Sequence, residues 1–483
     1  MPAWLATALT FAFVIGLYVW DGRRNSGFSK ALWLPVLWII PTASRFPTQW
    51  LMLGRPEATQ NVTDGSTLDA IYFLLLIVSG GIVLVRRRIL TAELIRSNFW
   101  LFSMLVFGFV SILWSDFEFI AFKRWIKTLG HPIMALIILT DVSPVGAFRV
   151  VMKRCAFFLL PTSVLFIKYL PEYGRYFNPF GAGMYRGAML TKNELGIVTV
   201  LFGLFFVWSF LSRARISDAR ERRDETVLSG IFVLISLYLL RYADSAAALV
   251  VFTAGTAIMI GFGMRMISRR YFGTYLVVAV AMVAIAQLTF GIYEQLLTML
   301  GRDITLTDRT MIWTDVIELQ TRPLIGMGFE SFWLGARIEA MWDKWWWRPN
   351  QAHNGYIETY LNLGPIGVAL LFLVIVSAFR RIAADLETDF EFARFRMALL
   401  FSILAYNVTE AMFKGVAITW LMFHIVVIAF PRSQTHTQQA EPSSGRSKSV
   451  RAYGRNLPGA SPGPTADSGA QNEKTAYYRR PVQ

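Results

Sequence analysis

Apolar residues in this chain form solid runs of helix length, separated by short polar breaks. IYFLLLIVSGGIVLV, NFWLFSMLVFGFVSILW and GVALLFLVIVSAF are typical. Runs of this kind cross a hydrocarbon layer of ~30 Å as helices, whereas a membrane β-barrel alternates residue by residue. The pattern predicts an all-α, polytopic transmembrane bundle of about 12–13 spans. They fall near 3–20, 31–51, 68–85, 97–114, 126–140, 151–168, 194–211, 227–242, 246–263, 272–291, 355–379, 397–411 and 416–430. One long polar interruption, 292–354, is predicted to be an extracytoplasmic loop with short helices of its own. The N-terminus is apolar from the outset, with no charged leader region or small-residue cleavage site, and reads as a first span.

Charge sets the orientation. Alternate breaks at 21–30, 86–96, 141–154, 212–226, 264–271 and 380–396 hold 22 Lys and Arg in short segments. The opposite set holds 15, six of them in 292–354. The positive-inside rule makes the first set cytoplasmic. The N-terminus and the long loop are then outside and the C-terminus inside. The domain 1–430 is followed by a tail, 431–483, rich in Ser, Gly, Pro, Gln and Arg, which cannot bury a core and is expected to be a disordered basic cytoplasmic segment.

Hydrophobic residues make up 55% of the chain and charged residues 16%, against about a quarter in soluble proteins. The net charge of +15 comes from Arg clusters between spans, so no nucleic-acid partner is inferred. The single Cys155 excludes an intrachain disulfide, and the four histidines do not cluster, so no metal site is expected.

Three stretches carry candidate chemistry. In YLPEYGRYFNPFGAGMYRGAMLTKNELG, Arg175, Arg186 and Lys192 stand on the side where positive charge is disfavoured. Arg175 reads equally well as reaching headgroups. Arg186 is flanked by Gly181, Gly183 and Gly187, a backbone that lets a ligand approach, and Asn193 is placed to cap the next helix. In LLRYADSAAALV, Arg241 either pairs with Asp244 to close a hairpin or serves a ligand near Ser245. In the long loop, Asp308 is placed to cap a helix that starts at Arg309 and ends near Arg322, before Pro323. Arg309 then sits on a first turn, where an anion is favoured, with Arg302 upstream. Acids outnumber bases there eight to six, so placed arginines rather than bulk charge must make any anion site. His353, followed by Asn354 and Gly355, stands at the membrane boundary where a base is useful. Trp342, Trp345, Trp346 and Trp347 read as an interfacial anchor, with sugar stacking as the alternative.

YRGAMLTKNELG, LTDRTMIWTDVIELQTRPLIGMGFESFW and HNGYIETYLNLGPIG, with LWSD and FKRWIKTLGHPIMALIILT before them, resemble the bacterial O-antigen ligase and O-antigen polymerase family, in its exopolysaccharide-polymerase branch. The resemblance covers 113–367. It implies a glycosyltransferase of the bacterial inner membrane, working at the periplasmic face on a glycan linked to undecaprenyl diphosphate. The acceptor is a glycan hydroxyl, inversion is expected, and no metal or other cofactor is implied. A flippase and a chain-length regulator of the same pathway are the implied partners. The family's arginines fall on Arg186 and Arg309, its histidine on His353, and a serine on Ser245. Lys192, Arg241, Arg302 and Asn354 complete the expected substrate contacts. Thr191 stands where many relatives have histidine, Asp308 where they have glycine, and Ala246 and Ala247 where they have a basic residue and threonine. A ligase acting on lipid A-core differs only in its acceptor. A transporter or flippase of lipid-linked glycan is the reading from another class, and it predicts charges near the membrane midplane.

Overall fold

The computed structural model describes residues 1–53, 65–89, 92–178, 180–264 and 309–430. The expected span at 272–291, the loop segment holding Arg302 and Asp308, and the tail from 431 lie outside the described residues. Helices follow the apolar runs in order: α1 (Ala3–Arg24), α2 (Trp33–Thr42), α3 (Pro47–Leu51), α4 (Thr67–Arg86), α5 (Ala92–Ser97) and α6 (Phe99–Val110). Next come α7 (Glu118–Thr128), α8 (Gly130–Leu139), α9 (Pro144–Tyr169), α10 (Pro171–Gly174), α11 (Lys192–Ser212), α12 (Ala219–Ala243) and α13 (Ala246–Gly263). Then α14 (Arg309–Glu318), α15 (Ala336–Lys344), α16 (Gly355–Thr388), α17 (Phe390–Tyr406) and α18 (Ile418–Val427) complete the described chain. A two-stranded hairpin pairs β1 (Arg175–Phe177) with β2 (Gly183–Tyr185), Tyr176 opposite Met184.

Among the described residues seven helices, α1, α4, α9, α11, α12, α13 and α16, are long and apolar enough to cross a membrane. The chain is a multi-pass membrane protein. Three expected spans are not single helices. The run 31–51 breaks after Thr42 into α2 and the short α3. At 1.5 Å per residue, the ten residues of α2 rise only about 15 Å. The run 126–140 splits at Leu129, because Lys123, Arg124 and Lys127 make α7 amphipathic while α8 is apolar. In 416–430 only the ten residues of α18 are helical. All ten are buried, as is most of α8, so protein rather than lipid surrounds these short helices.

Ion pairs lace one end of the bundle: Arg154 to Asp21 at 2.7 Å, Lys153 to Glu225 at 2.6 Å and Arg24 to Asp224 at 2.7 Å. This is the end to which the charge count assigns the cytoplasm. At the other end, α14, α15 and their loops form a lobe with its own core of Ile312, Val316, Met327, Phe332, Trp333, Ile338 and Met341. Trp342, Trp345 and Trp347 pack against that core. The Nε1 of Trp345 donates to Asp315 Oδ2 at 2.7 Å, and that of Trp342 to the Pro349 carbonyl at 3.0 Å. Three of the four tryptophans expected to anchor in the membrane are thus half-buried against the lobe. Trp346 alone of the four is open, at 63% exposure.

Backbone contacts join lobe to bundle. Met327 N–H donates to the Leu361 carbonyl and Gly328 N–H to that of Asn362, both at 3.0 Å. Asp116 accepts from Arg337 at 2.8 Å and from Arg322 at 3.3 Å. The approach is close enough to require glycine at 326, where φ is +75° and a Cβ would stand 2.3 Å from the Asn362 carbonyl carbon. Gly326→Ala is expected to cost about 3 kcal/mol or more. A lower thermal transition of the purified protein in detergent checks this, and an unchanged transition refutes it.

Candidate active site

The site gathers at the lobe end, on the polar turns that end one span and begin the next. Glu410 is its centre. The α17 helix stops at Tyr406, and the turn that follows sets the Glu410 carboxylate inward, with its side chain 5% exposed. One oxygen, Oε1, accepts from Arg309 Nη2 at 3.0 Å and from Asn193 Nδ2 at 2.7 Å. The other, Oε2, meets His353 Nδ1 at 3.2 Å. Arg309 also donates to the Thr409 carbonyl. One carboxylate thus holds together residues from α11, α14, the turn before α16 and its own loop.

Three positive or donor groups on one buried carboxylate have a clear electrostatic logic. An isolated carboxylate is costly to bury, and Arg309 with the Asn193 amide offsets that cost. Gln351 Nε2 stands 3.5 Å from His353 Nδ1, but Glu410 is nearer and charged. The Nδ1 proton therefore points to Glu410, which leaves Nε2 as the basic nitrogen. Among the described residues Nε2 takes no hydrogen bond, and the imidazole is 20% exposed. His353 also holds φ at 51°, a left-handed backbone uncommon outside glycine. Strain of this kind persists where surrounding contacts fix it.

Those contacts are supplied by its neighbours. Asn354 caps α16, its Oδ1 accepting from Tyr356 N at 2.9 Å and Ile357 N at 3.1 Å, while Nδ2 donates to the Val408 carbonyl at 3.2 Å. Gly355 N–H donates to the Asn407 carbonyl at 2.8 Å, and a Cβ there would meet Asn407 Oδ1 at 2.1 Å. In His-Asn-Gly the first residue faces the site, the second caps the helix and the third admits the Glu410 turn. Asn354, expected to bind substrate, is seen here as the cap of α16.

Arg186 stands beside the cluster rather than in it. Its Nε donates to the Tyr173 carbonyl at 3.2 Å, and the guanidinium lies 5.7 Å from the centre of the Tyr176 ring. The Tyr176 hydroxyl in turn accepts from Lys192 N–H at 3.3 Å, on the first turn of the helix that carries Asn193. Burial pushes the Tyr176 phenol up, keeping it neutral. Arg45, which sequence reading passed over, donates to the same Tyr173 carbonyl at 2.6 Å and to that of Met189 at 3.3 Å. It fastens both ends of the loop that bears Arg186.

The remaining expected residues divide. Lys192 pairs with Asp244 at 3.4 Å, and of the two readings of Arg241 the pair with Asp244 is not the one seen. Arg241 is exposed on the last turn of α12 and makes no ion pair among the described residues. Ser245 caps α13, accepting from Ala248 N, and hydrogen-bonds Tyr406, whose hydroxyl donates to the Asn193 carbonyl at 2.9 Å. Its place is structural, one residue removed from the cluster. The cap of α11 is Thr191 rather than Asn193, which frees the Asn193 amide for Glu410. Arg302 lies outside the described residues. Glu410 itself went unread because the run 397–411 absorbed it. A lone carboxylate inside an apolar run was the signal.

Residues 229–372 match the family described as O-antigen ligase. Over that segment the chain is similar to this family. The matched segment contains Arg241, Ser245, Arg309, His353 and Asn354, whereas Arg186 and Asn193 precede it and Glu410 follows it. The chain is also similar to the exopolysaccharide production protein ExoQ of Rhizobium meliloti (strain 1021), 29% identical over 296 residues. That similarity spans 59% of this chain and 65% of the relative, just under two thirds of its length.

Proposed function

We propose that this protein is a membrane glycosyltransferase of surface-polysaccharide assembly. It transfers glycan from undecaprenyl diphosphate to a sugar hydroxyl at the periplasmic face of the inner membrane. The observation that carries the reading is the Glu410 cluster, which sets a basic imidazole nitrogen beside a guanidinium at one end of a membrane bundle. In the reaction the acceptor oxygen attacks the anomeric carbon, and its proton passes to His353 Nε2. The bond from that carbon to the lipid diphosphate breaks, and its electron pair leaves with the diphosphate. Arg309 has guanidinium donors beyond those given to Glu410 and Thr409, and these meet the charge that grows on the leaving group. Arg186 supplies a second guanidinium from the facing loop. A diphosphate is a good leaving group, so the protein's task is to orient the acceptor and stabilise charge. Direct displacement inverts the anomeric centre.

Reconstitution tests this. Purified protein in vesicles carrying one polyprenyl diphosphate-linked repeat unit, without nucleotide, is expected to lengthen the glycan. Movement of intact donor across the bilayer with no new glycosidic bond would identify a transporter and end the reading. The family's description favours a second acceptor. Vesicles that also hold lipid A-core separate the two, because a ligase adds polymer to that lipid while a polymerase extends the repeat.

A further inference from the structure

Phe180 and Trp346 meet edge to face, their ring centres 5.0 Å apart and planes at 88°. They come from the two loops that supply the site. Phe180 lies in the Gly-rich loop ahead of Arg186, and Trp346 in the turn between α15 and His353. Even in contact, the two rings stay 68% and 63% exposed. The aromatic surface continues inward. Trp347 packs 6.1 Å from Trp345, and its ring lies 6.3 Å from the imidazole of His353.

Leaving two such rings open is unfavourable, since each carries roughly 150–250 Å² of largely apolar surface. The lobe shows how it treats an indole with a structural part: Trp342 and Trp345 bury their bodies and bond their N–H groups. Trp346 does neither among the described residues. Exposed Asp343, Lys344, Arg348 and Asn350 flank it in the sequence.

We propose that Phe180, Trp346 and Trp347 form a ledge that seats pyranose rings of the acceptor glycan beside His353. A pyranose has one face of C–H bonds, whose positive hydrogens settle on the negative face of an aromatic ring. Its equatorial hydroxyls then reach the charged rim. A headgroup anchor, the competing role for exposed tryptophan, needs neither contact with the Arg186 loop nor continuity with the base. The ledge has both. The inference rests on His353 serving the acceptor.

Binding is measured on the full chain in nanodiscs, with cellohexaose and maltohexaose as probes, by saturation-transfer NMR. Ring C–H protons are expected to receive saturation. Phe180→Ala and Trp346→Ala should each weaken binding about tenfold, while Trp346→Phe stays near the wild type. In the transfer assay the alanine variants should lose activity through the acceptor KM rather than kcat. No binding by the wild type, or equal binding by the alanine variants, overturns the ledge. So does quenching of Trp346 emission by headgroup-brominated lipid with glycan affinity unchanged. If the wild type binds through these rings yet transfers nothing, the transferase reading fails and the ledge stands. Transfer with an unaltered acceptor KM in both alanine variants does the reverse.

Discussion

A His353→Ala protein transfers glycan at no more than about one hundredth of the wild-type rate, because a positioned base contributes roughly 10²–10⁴-fold. The fold should survive the change. Alanine fits the left-handed backbone at 353 somewhat less well than histidine, a modest cost in stability, while Glu410 keeps Arg309 and Asn193. The loss therefore falls on kcat, and added imidazole should restore part of it. Near-normal turnover by His353→Ala would remove the imidazole from the chemistry.

Glu410→Gln is expected to be nearly as damaging, and for more than one reason. The amide no longer balances Arg309, and it cannot accept from Arg309, Asn193 and His353 as a carboxylate does. The imidazole is then free to hold its proton on Nε2, the wrong nitrogen for a base. Breaking a buried ion pair costs roughly 3–5 kcal/mol, and the partial exposure of Arg309 places this case at the lower end. We expect a fall of about 10²-fold in kcat together with a lower thermal transition. Combining Arg309→Ala with Glu410→Gln should cost less stability than the two single losses added, because the double variant leaves no unpaired charge. Additive losses, or full activity in Glu410→Gln, would show that the cluster is not a unit.

The sequence made the helices legible where apolarity and backbone continuity coincide. In α4, α9 and α11 a solid run became one helix, whereas α16 kinks at Gly364, where φ is +64°. At 31–51, 126–140 and 416–430 they part company. Hydropathy registers that a run is apolar, but it cannot tell lipid from protein as the apolar surroundings. The buried α8 and α18 are of the second kind. The same limit holds for the tryptophans. A sequence shows an indole but not the Asp315 carboxylate that takes its N–H, 30 residues away. Arg309 and His353 were legible from spacing and from family resemblance. Glu410 was not, because its meaning comes only from partners that other loops bring to it. Asn193 shows the same blindness at short range, since Thr191, two residues earlier, takes the capping duty and changes what the amide can do.

Glu410 follows Asn193 by 217 residues, Arg309 by 101 and His353 by 57. It is the last of the four to leave the ribosome. While the earlier helices enter the bilayer, the arginine and the histidine have no counter-charge to gather them. The cluster closes only when the α16–α17 hairpin is in place. Catalytic competence is thus tied to completed insertion, and a nascent chain halted before Asn407 would sit in the membrane without a working centre.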